Sequence, residues 1–429
     1  MSKLEQTLRK HLKYNIAVNV LDGAFFGLGW GCSSFGTIIP LFVSRLTQSA
    51  TLIGLIPAIH GVGWQLPQLF MANAVARRRR YKPMVLWLTI HERLPYLGLA
   101  LIAWFLPSLT PRLALMFTFL LLIWQGLGSG FTANAWQSMI AKIIPPEWRG
   151  TFIGLQSAVA NILISLAAVG AGYLLNRLDS PLDFSLCFTL TFIAMGISML
   201  FLGLTREPED NEKHIPEQQA SFWQDSLKLL RHDQNFLSFL ILRLVWQFAM
   251  MGFAFYIVYG LRTFGMNEIT AGWLTAALTG TQIAANLIMG WLGDRLGHRA
   301  MLAVGALSTA LSSFLAWQAQ SIVWLYPVFI LNGLANVSYW TIGIAFTVAF
   351  GTEEERPIYI GLSNTLVAPF AILAPLIGGW IADSAGYQIT FLVSAIIGLT
   401  VTILIMLFVH NPRPPANAPI ADLSMQNST

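Results

Sequence analysis

The chain has 429 residues, of which 55% are hydrophobic and only 10% are charged, and its mean hydropathy is +0.62. Soluble domains carry about 25% charged residues, so this composition excludes a soluble globular protein and predicts a polytopic membrane protein. The net charge of +5 is spread over the loops and does not indicate a nucleic-acid binder, and Cys32 and Cys187 lie in different apolar segments, which implies no disulfide framework.

The chain begins with a polar, basic stretch, and the apolar segment after it is too long for the h-region of a cleaved signal peptide. One membrane crossing needs roughly 20 apolar residues. The apolar runs therefore predict an all-α membrane protein with twelve transmembrane helices, at residues 15–43, 50–76, 83–107, 113–143, 150–176, 184–204, 236–262, 268–292, 300–319, 322–350, 357–382 and 388–410.

The basic residues predict the orientation of the chain. If both termini are cytoplasmic, 19 of the 25 Lys and Arg residues lie in cytoplasmic segments and only Arg45, Arg112, Arg177 and Arg262 lie on the opposite side. Because positively charged loops are retained in the cytoplasm, we expect both termini there. We expect the membrane to be the inner (plasma) membrane of a bacterium.

The longest polar stretch, residues 206–235, divides the predicted helices into two groups of six. Within it, the residues after Ser221 place their apolar side chains on one helical face, which predicts a helix at the cytoplasmic interface. A regulatory docking site is the alternative. The predicted organisation is a cytoplasmic N-terminus, an N-terminal half, a linker, a C-terminal half and a cytoplasmic tail, at residues 1–14, 15–205, 206–235, 236–410 and 411–429.

The two halves repeat one another. A shift of 207 residues places Phe119–Asn176 on Tyr326–Asp383 without a gap and aligns Gly172 with Gly379. A second shift, of 217 residues, aligns the loop after the second predicted helix with the loop after the eighth. Two similar six-helix halves are typical of transporters built from internal repeats.

The loop between the eighth and ninth predicted helices reads Gly-Trp-Leu-Gly-Asp-Arg-Leu-Gly-His-Arg over residues 290–299. It resembles the cytoplasmic loop motif of the major facilitator superfamily, which are secondary transporters with two pseudo-symmetric bundles of six helices. The resemblance implies a conformational latch in which Asp294 faces the start of the fifth helix and Gly290 allows close backbone approach. The latch residues are Gly290, Asp294, Arg295, Gly297, Arg299 and Arg149. An ordinary charged loop is the alternative.

Two features depart from the family pattern. The first-half loop has arginine at positions 77–80, where the family has an acid, and we expect this basic run to contact anionic lipid head groups. The eleventh helix carries Pro375 followed by Gly378 and Gly379, which resembles the glycine–proline motif of the family's antiporters, although that motif normally stands in the fifth helix.

Ionisable residues inside membrane helices are costly, at ~2.5–3.5 kcal/mol or more on insertion scales. Asp22, the run 91–93 and Arg243 lie at similar depths, roughly 10–15 Å from the cytoplasmic side at ~1.5 Å per residue. We predict that Asp22 pairs with Arg243 across a central cavity. We also predict that Asp22 carries a proton, with Glu92 and His91 as further candidates, because burial disfavours the charged form of a carboxylate.

A buried ion network that only fixes helix packing is the alternative for these residues, with Arg243 paired permanently to Glu92. Because Glu92 and Arg93 are adjacent and point about 100° apart on a helix, we expect each to find its partner on another helix. His60, in the second predicted helix, is expected to be a hydrogen-bonded packing residue.

Amides and mid-helix tryptophans, which lie away from the interface belts where tryptophan is common, are further candidates for a solute cavity. Amides also join helices to one another, and tryptophan also packs, as it would at Trp136 and Trp246. The predicted cavity residues are Asp22, Trp30, Gln125, Asn134, Gln137, Arg243, Gln247, Gln282, Asn286, Asn332, Asn336, Trp340 and Asn364.

Two glycine triplets, at residues 27–31 and 126–130, lie inside helices with no strand before them. They predict close helix contacts and not nucleotide-binding loops. The sequence has no P-loop, metal cluster or nucleophile triad that can be read from spacing. We therefore expect no enzyme activity, cofactor or metal site.

These features predict a secondary active transporter that moves a small organic solute by alternating access, with proton-coupled export favoured. The alternatives are uptake of a polar metabolite, which the amides fit, and a receptor or assembly protein that does not transport. The expected partners are the solute, protons and membrane lipids, without nucleic acid, and the expected state is a monomer.

The latch generates the first test. Asp294→Asn removes the charge that would face the start of the fifth helix, so we expect the resting population to shift towards the state that is open to the cytoplasm. Introduced cysteines labelled from each side of the membrane measure that population. Labelling that does not change on either side would contradict a latch.

Overall fold

The structure, a computed structural model, describes residues 3–209, 229–231, 233–350 and 356–411. These residues are almost entirely helical. Nine helical segments among them are long and apolar enough to cross a membrane, in agreement with a multi-pass membrane protein. The predicted first, second and eighth membrane helices also fold as helices but fall outside these nine, so the number of crossings stays a prediction.

The helices of the N-terminal half follow one another through short connections. Their bounds are α1 (Lys3–Cys32), α2 (Ile38–Leu46), α3 (Ala50–Ala76), α4 (Lys82–Trp104), α5 (Pro111–Ile143), α6 (Pro146–Arg177) and α7 (Leu182–Leu204).

The C-terminal half has the same order with more interruptions. Its bounds are α8 (Gln234–Ala249), a 3₁₀ segment (Met250–Phe255), α9 (Tyr256–Phe264), α10 (Glu268–Leu296), α11 (His298–Gln318), α12 (Leu325–Val337), a π-helical turn (Ser338–Ile342), α13 (Gly343–Val348), α14 (Arg356–Ala385) and α15 (Tyr387–Phe408).

The predicted first helix, residues 15–43, is wrong as a single element. Helix α1 begins earlier, at Lys3, and ends at Cys32, and α2 follows after a break. Serine hydroxyls compete with the helical backbone bonds at the break: Ser33 Oγ donates to the Gly29 carbonyl at 3.1 Å, and the Gly36 amide donates to Ser34 Oγ at 3.3 Å. The predicted interfacial helix after Ser221 lies, apart from residues 229–231, outside the described residues.

An asparagine ties the first long helix of each half to the end of its last helix. In the N-terminal half the Asn15 amide donates to the Arg206 carbonyl at 3.0 Å, and its oxygen accepts the Arg206 amide at 2.9 Å. In the C-terminal half Asn235 makes the same pair of bonds with His410, at 2.8 and 2.9 Å. The repeat read from the sequence thus extends to matching polar contacts.

A second matched contact caps the N-termini of α4 and α11. The Glu207 carboxylate accepts the backbone amides of Tyr81 at 2.9 Å and Lys82 at 2.7 Å. In the other half the Asn411 side-chain oxygen accepts the Arg299 amide at 3.1 Å. These oxygens satisfy amides at a helix start, which have no partner within the helix.

The glycine triplets pack as predicted. A Cβ on Gly27 would lie 2.6 Å from the Ala160 carbonyl oxygen, so α1 meets the backbone of α6. A Cβ on Gly128 would lie 2.6 Å from the Glu92 amide nitrogen, which brings α5 against α4. Small residues at such positions let membrane helices approach closely.

The two halves meet along a seam, which we define as the contacts of α6 with α10 and of α14 with α3 near the starts of α10 and α3. A Cβ on Gly172 would lie 2.5 Å from the Glu268 carbonyl oxygen. A Cβ on Gly379 would lie 3.2 Å from the carbonyl carbon of Ala50, and closer still to Thr51. Gly172 and Gly379 are the pair that the repeat aligned.

A second level of the seam lies one turn further into the bundle. A Cβ on Gly272 would lie 2.5 Å from the Ala168 carbonyl oxygen, and a Cβ on Gly54 would lie 3.0 Å from the Pro375 carbonyl oxygen. Ala168 and Pro375 are also related by the shift of 207 residues. The halves are therefore joined by two equivalent glycine contacts at each of two levels, at the end of the bundle opposite to the start of α8 and the end of α15.

The seam generates a test. Gly379→Leu would place a side chain against Ala50 and Thr51, so we expect the seam to open more often. The reporter is Thr275→Cys in a background without Cys32 and Cys187, because Thr275 is 2% exposed and its hydroxyl donates to Thr37 across the seam at 3.0 Å. A membrane-impermeant maleimide should label the reporter several-fold faster when Gly379→Leu is present.

The matched control for this substitution is Gly196→Leu, because a Cβ at Gly196 meets no atom within 4 Å. It should leave the labelling rate at the parent value. Equal labelling of the Gly379→Leu and Gly196→Leu proteins would contradict a seam that depends on close backbone contact.

Candidate functional site

The buried charges of the N-terminal half converge on Arg93 of α4. Its guanidinium lies 3.8 Å from Asp22 of α1 and 3.5 Å from Glu92. It also donates to Ser198 Oγ and to the Met195 carbonyl of α7, each at 3.0 Å. All three charged residues are about 5% exposed. We call Asp22, Glu92, Arg93 and Ser198 the carboxylate cluster.

Neutral groups complete the carboxylate cluster. Ser198 Oγ donates to Asp22 at 2.6 Å, and the hydroxyls of Thr89 and Ser129 lie beside the Glu92 carboxylate. The Phe26 ring lies 5.6 Å from the Arg93 guanidinium carbon. Buried charges are tolerated when paired and hydrogen-bonded. One guanidinium nevertheless faces two carboxylates.

One pairing prediction is wrong and another is confirmed in part. Asp22 does not pair with Arg243, because its carboxylate points into its own half, towards α4 and α7. Depth along a helix, on which that prediction rested, does not fix which face a side chain occupies. The expectation that Glu92 and Arg93 each find a partner on another helix is confirmed, because Arg93 contacts Asp22 of α1 and Ser129 of α5 lies beside Glu92. The two residues are not separated from one another, however, since the flexible Arg93 side chain turns back to within 3.5 Å of Glu92.

Arg243 lies inside the C-terminal half with neutral partners. Its guanidinium donates to Ser363 Oγ at 2.5 Å and stacks 4.9 Å from the Tyr339 ring centroid. The Gln247 amide donates to the Tyr339 hydroxyl at 2.7 Å. Among the described residues, no carboxylate lies within ion-pair distance of Arg243, so the alternative pairing with Glu92 is wrong as well.

His91 lies apart from the carboxylate cluster. Its ring lies between Trp87 and Trp124, and its Nδ1 accepts the Trp124 indole N–H at 3.3 Å. Trp87 is 67% exposed, which places this group on the outer surface of α4 and α5. His91 is thus separated from Glu92, its neighbour in the sequence.

Several predicted cavity residues pack inside one half. Gln125 is fully buried and its side-chain oxygen lies 3.1 Å from His60 Nδ1, as expected for a packing histidine. The Trp30 ring contacts His60, and Asn332 donates to Ser312 at 2.8 Å.

Other predicted cavity residues are partly or fully exposed. The Asn286 side-chain oxygen accepts the Thr341 hydroxyl at 2.9 Å, and Asn134 donates to the Gln68 carbonyl at 3.1 Å. Trp340 meets Trp64 of the other half. The remaining amides with exposed surface are Gln137, Gln247, Gln282, Asn336 and Asn364.

A carboxylate closes the seam at the start of α3. Asp383 of α14 accepts the backbone amides of Ala50 at 2.6 Å and Thr51 at 3.1 Å, and the hydroxyls of Ser49 at 3.2 Å and Thr51 at 2.7 Å. A carboxylate is favourable at a helix N-terminus. Sequence analysis missed this role, because the predicted eleventh helix ends at residue 382 and leaves Asp383 in a loop, whereas α14 continues to Ala385.

Two arginines add further bonds across the seam. Arg45 pairs with Asp183 of its own half and, at 3.4 Å, with Glu268 of the other. Arg262 donates to the Gln48 carbonyl at 3.0 Å. These residues carry two of the four positive charges assigned to the non-cytoplasmic side.

The predicted latch loop is shorter than its motif suggested. Helix α10 continues to Leu296, and only Gly297, with φ of +89°, separates it from α11. The expected close backbone approach at Gly290 is wrong, because a Cβ there meets no atom within 4 Å. The glycine of α10 that packs against the backbone of another helix is Gly272, at the seam and near the other end of α10.

The rest of the latch is only partly visible. Arg295 lies over the Trp291 ring at 4.1 Å, and the Arg299 side chain donates to the Met406 carbonyl. The side chains of Asp294 and Arg149 lie outside the described residues, so their contact stays a prediction.

Comparison with known proteins identifies the family. A model of the Major Facilitator Superfamily matches residues 21–262 and 261–424. Multidrug resistance protein 1 of Bacillus subtilis is 27% identical over 161 residues, which are 36% of this chain and 41% of that protein. A probable vesicular acetylcholine transporter-B of Danio rerio is 29% identical over 156 residues, which are 36% of this chain and 32% of that protein. The matched regions span less than half of either relative.

Solved structures share the fold along the chain. A D-xylose-proton symporter superposes with a TM-score of 0.70 at 17% identity, covering 94% of this chain and 99% of that one. A POT family transporter in complex with 5-aminolevulinic acid gives a TM-score of 0.70 at 12% identity, covering 92% of this chain and 95% of that one. These likenesses establish the architecture of two helical halves.

The carboxylate cluster generates a test of its pairing. Arg93→Gln would leave two buried carboxylates without a cation, and we expect it to lower the free energy of unfolding by about 3–5 kcal/mol. Thermal unfolding of the purified protein in detergent measures the effect. Arg112→Gln, at an exposed position, is the control.

Neutralising both acids in the same protein, with Asp22→Asn and Glu92→Gln, should recover much of the loss caused by Arg93→Gln. An Arg93→Gln protein as stable as the Arg112→Gln control would show that the ion pairs do not hold these helices together.

Proposed function

The chain belongs to the major facilitator superfamily, and we propose that it is a secondary active transporter that exports a small organic solute in exchange for protons. The observation that carries the proposal is the seam, where glycine contacts and polar bonds join the halves at one end of the bundle. Alternating access requires two halves that separate at one end while they close at the other.

The carboxylate cluster supports proton coupling. Arg93 carries one positive charge and faces both Asp22 and Glu92. An excess negative charge in a membrane interior is costly, and a proton on one carboxylate removes it. Arginine stays charged, so the acids are the groups that change. We assign the proton to Asp22, because its carboxylate contacts Arg93 of α4 and Ser198 of α7. Glu92 is the second candidate.

Export of an apolar solute is favoured over uptake by the relatives, whose names include multidrug resistance proteins, and by the tryptophans of the helices. Partly exposed amides such as Asn286 and Asn364 favour the alternative, uptake of a polar metabolite. A receptor that does not transport remains the third candidate. We also propose cytoplasmic termini in a bacterial inner membrane, on the strength of the basic residues.

Flux in reconstituted vesicles tests the proposal. With an imposed proton gradient, the parent protein should move solutes from a panel of apolar and cationic amphiphiles uphill and with saturation. Asp22→Asn should abolish uphill movement but retain exchange between labelled and unlabelled solute, because exchange needs no proton. Asp179→Asn, at an exposed loop position, should behave as the parent.

Uphill movement that survives in both Asp22→Asn and Glu92→Gln would rule out coupling through these carboxylates. Absence of flux for every solute of a broad panel would favour the receptor.

A further inference from the structure

Two tryptophans from opposite halves meet away from the seam. The ring centroids of Trp64 on α3 and Trp340 on the π-helical turn lie 6.4 Å apart, with their planes at 86°. Trp64 stands about 21 Å along α3 from Ala50, at ~1.5 Å per residue, which is near the middle of the bundle. Both rings are partly exposed. Tryptophan is ordinary at the membrane interface but not at this depth.

Two other mid-helix tryptophans pack within their own halves. Trp246 is 2% exposed and donates to Thr309 at 2.9 Å within the C-terminal half. Trp30 packs on Phe35 and His60 within the N-terminal half. Trp340 therefore differs from Trp246 and Trp30 in that its ring contacts the opposite half.

The π-helical turn accounts for this position. It adds a residue to one turn between α12 and α13, whereas the repeat-equivalent stretch of α5 is regular α-helix. The turn is fixed by Ser338, whose hydroxyl donates to the Met301 carbonyl at 2.9 Å. Tyr339 consequently packs on Arg243 inside its half, while Trp340 points to Trp64. Single π-helical turns inside α-helices are frequent at functional sites.

The polar groups near the tryptophan pair are neutral. Thr341, next to Trp340, is bonded to Asn286. Among the described residues beyond the basic start of α1 (Arg9, Lys10 and Lys13), the charged side chains away from helix ends are those of Asp22, Glu92, Arg93 and Arg243, and each is 6% exposed or less within one half. The described surface between the halves thus offers aromatic faces and amides at this depth.

We propose that the solute is uncharged and carries a flat aromatic ring, which binds against Trp64 and Trp340. This proposal rests on the transport function proposed above and names the class of solute. Indole faces attract aromatic rings in offset or edge-to-face geometry. The amides and hydroxyls beside the pair offer hydrogen bonds that need no charge on the solute.

The test uses 1-aminoanthracene, an uncharged planar fluorophore, titrated against the purified full-length protein in detergent micelles, with protein-free micelles as background. Trp64→Leu and Trp340→Leu should each weaken binding about tenfold, because they remove a ring and keep an apolar side chain. Trp64→Phe and Trp340→Phe, which keep a ring, should stay within about threefold of the parent. Thermal unfolding confirms that each variant is folded.

The control is Trp87→Leu, since Trp87 is 67% exposed on the outer surface of α4; it should bind the probe as the parent does. The saturated perhydroanthracene and the charged anthracene-1-carboxylate should both displace the probe poorly. Unchanged affinity in both folded leucine variants, or displacement by either analogue as effective as by the uncharged aromatic parent compound anthracene, would overturn the proposal.

Flux in vesicles separates this proposal from the transport function. If the probe binds as expected but no solute shows gradient-driven flux, the tryptophan site is supported and the transport function is refuted. If both leucine variants retain full gradient-driven flux and unchanged affinity for the probe, the transport function is supported and the tryptophan site is refuted.

Discussion

The halves touch backbone to backbone at the seam, and the rest of the molecule depends on this contact. Helices in lipid gain little from excluding water and associate through close packing, whose attraction falls steeply with small gaps. Gly172, Gly272, Gly54 and Gly379 remove the side chains that would hold the helices apart. Asp383 then reaches the backbone amides at the start of α3, which have no partner within the helix. The polar bonds across the seam require the glycine contacts, because both form only when the helices of the two halves lie at the same short distance from each other.

The sequence predicted the parts of the fold that follow from composition and repetition. Hydropathy indicated membrane helices, and the repeat aligned Gly172 with Gly379 before their common role was visible. The repeat could not reveal that both face the opposite half, because a one-dimensional alignment holds no information on which face of a helix meets which neighbour. For the same reason depth alone paired Asp22 with Arg243, whereas the side chains point into separate halves. Trp64 was missed because nothing in its local sequence distinguishes it.

The two halves share a backbone plan but differ in charge. The N-terminal half buries two acids around Arg93, and the C-terminal half buries Arg243 among hydroxyls and an aromatic ring. Arginine does not lose its proton in proteins, so Arg243 is a fixed charge. Among the described charged residues that lie away from helix ends, only those of the N-terminal half can change their charge by gaining a proton. Under proton coupling, the conformational response must therefore begin among α1, α4 and α7.

A packed route leads from there to the seam. Asp22 stands on α1 between two contacts with α6: Gln156 donates to the Asn19 carbonyl at 2.7 Å, and Gly27 meets Ala160. Helix α6 continues to Gly172, where it touches α10. Densely packed helices have discrete arrangements and do not deform continuously. If Asp22 loses its charge and α1 shifts, α6 must therefore move with it or the contacts between the two helices must break. The carboxylate cluster thus lies one helix away from the seam, and α6 is the route by which the proposed proton would act on the contact between the halves.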